Sequence, residues 1–393
     1  MSEKFNFKKV LTISLGHMSH DIFSSFLAPL LPLLISKLGI TLSLSAFLDI
    51  ARKVPSLLNP LFGWMVEKTD MKYIVILTPS ITAISMCLLG VVESYYLLIV
   101  LLFISGISSA LFHIPSPVMI RESSGKRIGL GMSFYMVGGE AARTLGPLIL
   151  TGALALWGLE GVYKVIPLGL LTSLFLFIAL RDVEVKKIVK NEKTIVENSR
   201  KERVKKYIPF FIALALFAIF QSAVKSILTL YLPTYLTNRG YSLTFGGIAL
   251  AFLQFAGVIG VMGAGYISDK IGRRKMLIIV TTGSSIFMTL LYQTIDSLNP
   301  LPFLMLTGLF LFGTGPLILS YVHDTKSSKP SFINSVYMAI NFGVSSLVVL
   351  FVGYLGDNYG LNFSFKIAIF LYLLLFPTIL LLDKSFQKVK NID

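Results

Sequence analysis

A single cysteine among 393 residues leaves no disulfide open to one chain, and Cys87 lies inside the apolar run ITAISMCLLG. No Cys/His pair has metal-ligand spacing, so zinc and dithiol redox readings have no support and no metal site is expected. Charge is scarce as well: Asp, Glu, Lys and Arg make up 14% of the chain, against about 25% in soluble domains. There is no G-x-x-x-x-G-K-[ST] loop, which excludes an ATP-driven pump. No Ser/His/Asp set, paired carboxylates or HExxH stretch with workable geometry is present. The chain is therefore not read as an enzyme, and no cofactor is expected. Only one loop is long, which leaves no room for the output domain that a non-transporting membrane sensor needs.

What the chain has is apolar length. Its hydrophobic share is 54% and its mean hydropathy +0.77, the composition of a membrane protein. A helix crosses about 30 Å of hydrocarbon with roughly 20 residues. That ruler predicts spans at 9–36, 43–66, 73–92, 95–119, 129–154, 162–181, 207–236, 246–267, 276–295, 301–323, 331–355 and 363–382. All should be helical, since an open strand cannot satisfy its backbone in lipid. The first run follows Lys8 and Lys9 as a signal peptide would. It is too long for an h-region and carries Asp21, so it is read as a retained first span.

The net charge of +15 points to neither nucleic acid nor an acidic partner, because of where it sits. The termini and the loops on their side carry 27 Lys or Arg; the opposite loops carry four, Lys37, Lys164, Arg239 and Lys366. By the positive-inside rule both termini are cytoplasmic. The long loop, 182–206, has nine basic and five acidic residues and reads as a solvated cytoplasmic linker. It divides the chain into bundles at 1–181 and 207–393.

The two halves resemble each other. Gly63-Trp-Met-Val-Glu67-Lys68 follows span 2, and Gly265-Tyr-Ile-Ser-Asp269-Lys270-Ile-Gly272-Arg273-Arg274 follows span 8. Likewise Gly138-Gly139 and Gly146-Pro147 of span 5 correspond to Asn341 and Gly343 of span 11. Two parallel six-helix repeats imply a binding site between them near the midplane.

The span 8 loop resembles the loop signature of the major facilitator superfamily, and the resemblance extends over all twelve spans. Within it, Leu15-Gly16-His17 with Asp21, Gly106 to Pro115, and Gly129 to Ser133 with the span 5 glycines resemble the fosmidomycin-resistance branch, whose members are exporters. That branch's Phe-His-Pro is here one residue longer, Phe112-His113-Ile114-Pro115. Glu140 and Arg143 stand where an amide and an apolar residue are expected. Leu102 takes the place of the span 4 arginine of drug exporters, which leaves antiport centred on that arginine unsupported. The resemblance implies an all-α fold of two six-helix bundles. It also implies a cytoplasmic latch made of Gly63, Glu67, Lys68, Gly265, Asp269, Lys270, Gly272, Arg273 and Arg274. There the glycine lets one helix end approach another, Glu67 meets the start of span 11, and Asp269 meets the start of span 5 near Arg127. Each acid would face the positive end of a helix.

Seven charged residues lie well inside spans, away from their ends: Asp21, Asp49, Arg52, Lys53, Glu140, Arg143 and Lys225. At roughly 3 kcal/mol each, seven facing lipid would cost about 20 kcal/mol, so they must face one another or a watery cavity. Spacing permits Asp49 to pair with Arg52 or Lys53, and Glu140 with Arg143. At about 1.5 Å per residue, Asp21, Glu140 and Arg143 lie roughly 16–21 Å from the cytoplasmic helix ends, close to the midplane. The cations exceed the acids by one, which favours an anionic or zwitterionic solute. Arg143, Lys225, Gln221, Lys53 and Asn341 are the expected substrate contacts. Asp21, Glu140, His17 and His113 are the candidates for proton coupling, with an inner gate as the other role for His113. The expectation is a monomeric, proton-coupled secondary exporter of the cell membrane, with small solute, protons and lipid as its partners. An importer of an organic anion is the alternative.

Overall fold

A computed structural model describes residues 4–59, 61, 62, 65, 70–181, 200–325 and 330–390, and every regular element among them is helical. The chain divides into two compact units. One comprises Met1–Val189 with Leu236–Ala251, the other Lys190–Tyr235 with Phe252–Asp393. Residues 182–199 of the expected linker, and Gly63, Glu67 and Lys68 of the first loop motif, lie outside the described residues.

The first span is built as two helices, α1 (Phe7–Ser24) and α2 (Leu27–Leu38). Pro29 brings no N–H and its ring collides with the carbonyl four residues back, so the ladder must break here. Ser25 closes the break: its amide reaches the carbonyls of Asp21 and Ile22, and its hydroxyl donates to Ile22 O at 2.7 Å. Helix α3 (Leu42–Lys53) starts on a Thr41 cap and runs into a 3-10 turn, Val54–Leu58, that holds Pro55. After α4 (Met71–Cys87) comes α5 (Tyr95–His113), which stops where Pro115 opens the short α6 (Pro115–Ser123). The unit is completed by α7 (Ile128–Trp157) and α8 (Ile166–Leu180).

The span after the linker consists of α9 (Arg200–Ser226), a π turn at Ile227–Tyr231 and α10 (Leu232–Thr237). Then follow α11 (Leu243–Ile271), α12 (Arg273–Thr294), α13 (Leu301–Leu311), α14 (Thr314–His323), α15 (Pro330–Leu373) and α16 (Leu375–Lys390). Helix α15 is two helices joined at Gly360, whose φ of 80° is non-helical.

Among the described residues, nine segments are long and apolar enough to cross a membrane. The last, Val336–Val389, covers Gly360 and contains most of the expected span 331–355 and all of 363–382. The other two expected spans are α3 with its continuation, part of which lies outside the described residues, and α7, whose apolar run holds Glu140 and Arg143. Leu168, Leu171, Leu174 and Ile178 of α8 are each more than half exposed, a surface that only lipid makes stable. Beneath it, Val10, Ile13, Phe112, Tyr135, Leu176 and Leu180 form a buried core, and that core borders the site.

Candidate functional site

Three imidazoles converge on Asp21. His17 stands one helical turn before it on α1, and its Nε2 lies 3.2 Å from Asp21 Oδ2. His20, the preceding residue, places Nδ1 2.9 Å from Oδ1. His113 comes from the last residue of α5, with Nε2 3.2 Å from the same Oδ1. His17 and His20 are buried. Helix α5 ends at His113 because Pro115 cannot continue it, and the added Ile114 of the motif is the hinge between the two helices.

Close packing of α1 on α7 shapes the pocket for His17. A Cβ on Gly139 would stand 2.5 Å from the His17 ring, and one on Gly138 2.5 Å from the Ser14 carbonyl. At Gly146 it would meet the Ile22 carbonyl at 2.6 Å. These glycines let two helix backbones approach as small residues do in membranes. The His17 ring then stacks on Tyr135 at 3.9 Å, and the His20 ring on Phe112 at 4.6 Å.

Each imidazole is held from behind as well. His17 Nδ1 lies 2.8 Å from the Tyr135 carbonyl, and His20 Nε2 lies 3.0 Å from Thr82 Oγ1. His113 Nδ1 lies 3.2 Å from the Tyr135 hydroxyl. The facing atoms of His17, Asp21 and His113 all lie within 4.8 Å of one another, the described residues' nearest approach to a cation-sized set. Their separations from Asp21 are hydrogen-bond lengths, which shared protons fill.

The other intramembrane charges pair locally. Asp49 is buried and accepts from both Arg52, at 3.1 Å, and Lys53, at 2.5 Å. Arg52 also reaches the Ser24 carbonyl, at 3.4 Å. Glu140 pairs with Arg143 at 3.0 Å, and Arg143 keeps half of its side chain exposed. In the second unit, Lys225 is exposed, 5.9 Å over the Phe312 ring. Gln221 donates to Thr314 Oγ1, and Asn341 is exposed on α15. Two residues after Lys225 the helix widens into the π turn, a feature that recurs at functional positions.

In the second loop motif, Gly272 has φ 92°, a left-handed conformation that favours glycine and turns α11 into α12. Asp269 pairs with Arg273 at 2.6 Å on its own unit and is 65% exposed. Arg273 also faces Asp324 at 3.5 Å and donates to Ser268, while Arg274 faces Asp383 at 3.5 Å. Lys270 lies over the Tyr266 ring. The close approach expected of Gly265 is not made: a Cβ there would meet no atom within 4 Å, because the helix end faces open space.

Sequence reasoning set His17 beside Asp21 by spacing and brought His113 forward apart from them; the structure brings His113 to the same carboxylate. Sequence reasoning passed over Tyr135 and Thr82, which hold the imidazoles from behind, and Ser108 and Ser116, which hydrogen-bond Thr82 and Tyr135 in turn. The only signal for them was polar residues inside otherwise apolar spans. Asp324 and Asp383, the partners of the loop arginines, were also missed, because each is remote in sequence from the motif.

The chain matches the family model described as Major Facilitator Superfamily over residues 13–348. It is 26% identical over 377 residues to the fosmidomycin resistance protein of Escherichia coli, covering 94% of this chain and 92% of that one. It is 24% identical over 324 residues to the multi-drug resistance efflux pump PmrA of Streptococcus pneumoniae, covering 80% of each. Among solved structures, a bacterial homolog of the human lysosomal transporter Spinster superposes with a TM-score of 0.79 over 99% of both chains, at 14% identity.

Proposed function

The chain belongs to the Major Facilitator Superfamily, a family of multi-pass membrane transporters and not of enzymes, and on that footing we propose that it is a proton-coupled secondary carrier that exports a small anionic or zwitterionic solute. The observation that carries this reading is the convergence of three imidazoles on the part-buried carboxylate of Asp21, whose side chain is 13% exposed. Imidazole is the side chain that changes charge between pH 5 and 8, so a carboxylate held by three of them is suited to take up and release protons in a transport cycle.

The solute's negative group is met by Arg143 and Lys225, with Gln221, Lys53 and Asn341 as further contacts. Glu140 holds Arg143 when no solute is bound. A bound anion takes its place, and the displaced Glu140 carboxyl accepts a proton. Binding and proton movement are thereby linked with no added part. Asp269, Arg273 and Arg274 belong to the cytoplasmic latch, and the charge asymmetry of the loops puts both termini in the cytoplasm of a cell-membrane monomer. Export is supported by two relatives, one a resistance protein and one an efflux pump. With the proton gradient coupled in the same direction as the solute, the same groups would serve an importer.

The test is transport by the purified chain in proteoliposomes with an imposed pH gradient. Fosmidomycin, small carboxylates and small phosphonates are the trial solutes. The expected result is solute movement against its own gradient, opposite to the proton flow, and its collapse on adding a protonophore. Movement of a solute that ignores the pH gradient in both directions would overturn proton coupling.

A further inference from the structure

The atoms behind the three imidazoles decide where their protons sit. His17 Nδ1 faces the Tyr135 carbonyl, which can only accept, so that nitrogen carries a proton. Behind His20, Thr82 Oγ1 donates to Ser108 Oγ at 2.8 Å, and Ser108 donates to the Thr78 carbonyl at 2.9 Å. Thr82 has one hydrogen and spends it there, so it accepts from His20 Nε2. Behind His113, Ser116 donates to the Phe112 carbonyl at 2.7 Å and therefore accepts from the Tyr135 hydroxyl at 2.7 Å. The Tyr135 oxygen is left to accept from His113 Nδ1. All three outer nitrogens are thus protonated, and in a neutral ring the nitrogen facing Asp21 is bare.

We propose that Tyr135 is the positioning residue of this cluster: together with Thr82 it turns the bare nitrogen of each imidazole onto Asp21, so that the three contacts share from one to three protons. The proposal rests on the reading of Asp21 as the proton-carrying carboxyl. With an ionised Asp21 and three neutral rings, every contact opposes lone pair to lone pair. Each proton that enters from water replaces one such repulsion by a charge-assisted hydrogen bond. The first proton brings the cluster to neutrality and the third to a double positive charge. Its protons therefore leave in successive steps that belong to the whole group and not to one residue.

The titratable groups that meet here are Asp21, His17 and His20 from α1, His113 from α5 and the Tyr135 phenol from α7. Helix α4 contributes Thr82 and Thr78, and α8 contributes Thr172, bonded to Ser19; none of these titrates. Tyr135 holds two of the rings, His17 by its carbonyl and His113 by its hydroxyl. It stands on α7, the helix that carries Glu140 and Arg143. A change in the proton count is thus felt by the helix that bears a solute-binding cation.

The experiment is nitrogen NMR of the full chain in lipid nanodiscs, labelled with 15N-histidine. There are only four histidines, and His323 is assigned by His323→Gln. At alkaline pH, His17 and His113 are expected as Nδ1–H tautomers and His20 as the Nε2–H tautomer. On acidification at least two of the three rings should become charged at separate pH values. Tyr135→Phe removes the acceptor behind His113 and should release that ring to the Nε2–H form common in water. His17, held by a backbone carbonyl, should not change. If Tyr135→Phe does not fold, Ser116→Ala makes the same test, since it frees the Tyr135 hydrogen to donate to His113 and reverses that tautomer alone. Nε2–H forms for His17 and His113 in the parent chain, an unchanged His113 in the variants, or a single ring charging over the whole range would overturn the proposal. Absence of proton-driven transport in a chain that shows the expected tautomers would sink the transport reading and leave this one standing.

Discussion

Asp21 and Asp49 are both carboxylates inside the first unit, and their neighbours make them different devices. Asp49 is held by a guanidinium and an ammonium, groups that stay charged at every physiological pH. Its own charge is therefore fixed, and Asp49 with Arg52 ties α3 to the Ser24 end of α1. Asp21 is held by imidazoles, whose charge follows pH. The same functional group in the same unit is structural in one place and switchable in the other because of the partner chemistry. Glu140 stands between them: it has a permanently charged partner in Arg143, but that partner is half exposed and open to exchange with an anion.

The largest effect that can test this contrast is expected from Asp21→Asn. An amide keeps the shape and cannot share protons in the same way, so proton-driven transport should fall about 100-fold or more, near 2.7 kcal/mol of barrier. Solute exchange without a pH gradient should persist. Uptake and counterflow measured in the same vesicles separate the two, and an unchanged response to the gradient would erase the contrast. Asp49→Ala should instead cost stability, because it strands two cations. The loss expected for a fully buried pair is about 3–5 kcal/mol. Since 40% of the Lys53 side chain is exposed, a value nearer 2 kcal/mol is expected. Thermal unfolding in detergent should show the same loss at pH 6 and pH 8; a loss that changes with pH would place Asp49 in the switchable class.

Affinity comes next. Arg143→Ala and Lys225→Ala should each weaken solute binding by about 10- to 100-fold, the value of one hydrogen-bonded charge contact of roughly 1.5–3 kcal/mol. Glu140→Gln should keep binding and remove its dependence on pH. Equilibrium binding across a pH series measures all three, and parent-like affinity in both cation variants would move the solute site elsewhere. The smallest effect is expected from Asp269→Asn. Its pair with Arg273 is mostly exposed and contributes about 1 kcal/mol or less. On the latch reading Asp269 gains a further contact in one conformational state only, and a difference of about 1 kcal/mol shifts that balance several-fold. Distances between spin labels on the cytoplasmic face should register the shift while the unfolding temperature stays put.

The contrast between the carboxylates was only half legible in the chain. Asp49, Arg52 and Lys53 are three and four residues apart, so one helical turn predicts their pairing, and Glu140 with Arg143 follows the same rule. His17 with Asp21 was visible on that spacing too. His113 was not, because 92 residues separate it from Asp21 and nothing local links them. The second loop motif shows the same division. Its Asp269–Arg273 contact is local, whereas Asp324 and Asp383 reach the motif only through packing of distant helix ends.

Sequence alone determined the helical spans, the family and the charge asymmetry of the loops. Lipid imposes length, hydropathy and internal hydrogen bonding on each segment separately, and such requirements can be read one segment at a time. Tertiary structure decided which polar groups meet. His113 joins Asp21 because α5 ends at a proline beside α1, and His17 fits there because Gly139 gives its ring room. The direction of each imidazole rests on hydroxyls and a carbonyl from α4, α6 and α7. Hydrogen bonds act over about 3 Å, so which ones form is set by where the helices pack and not by the order of residues along them.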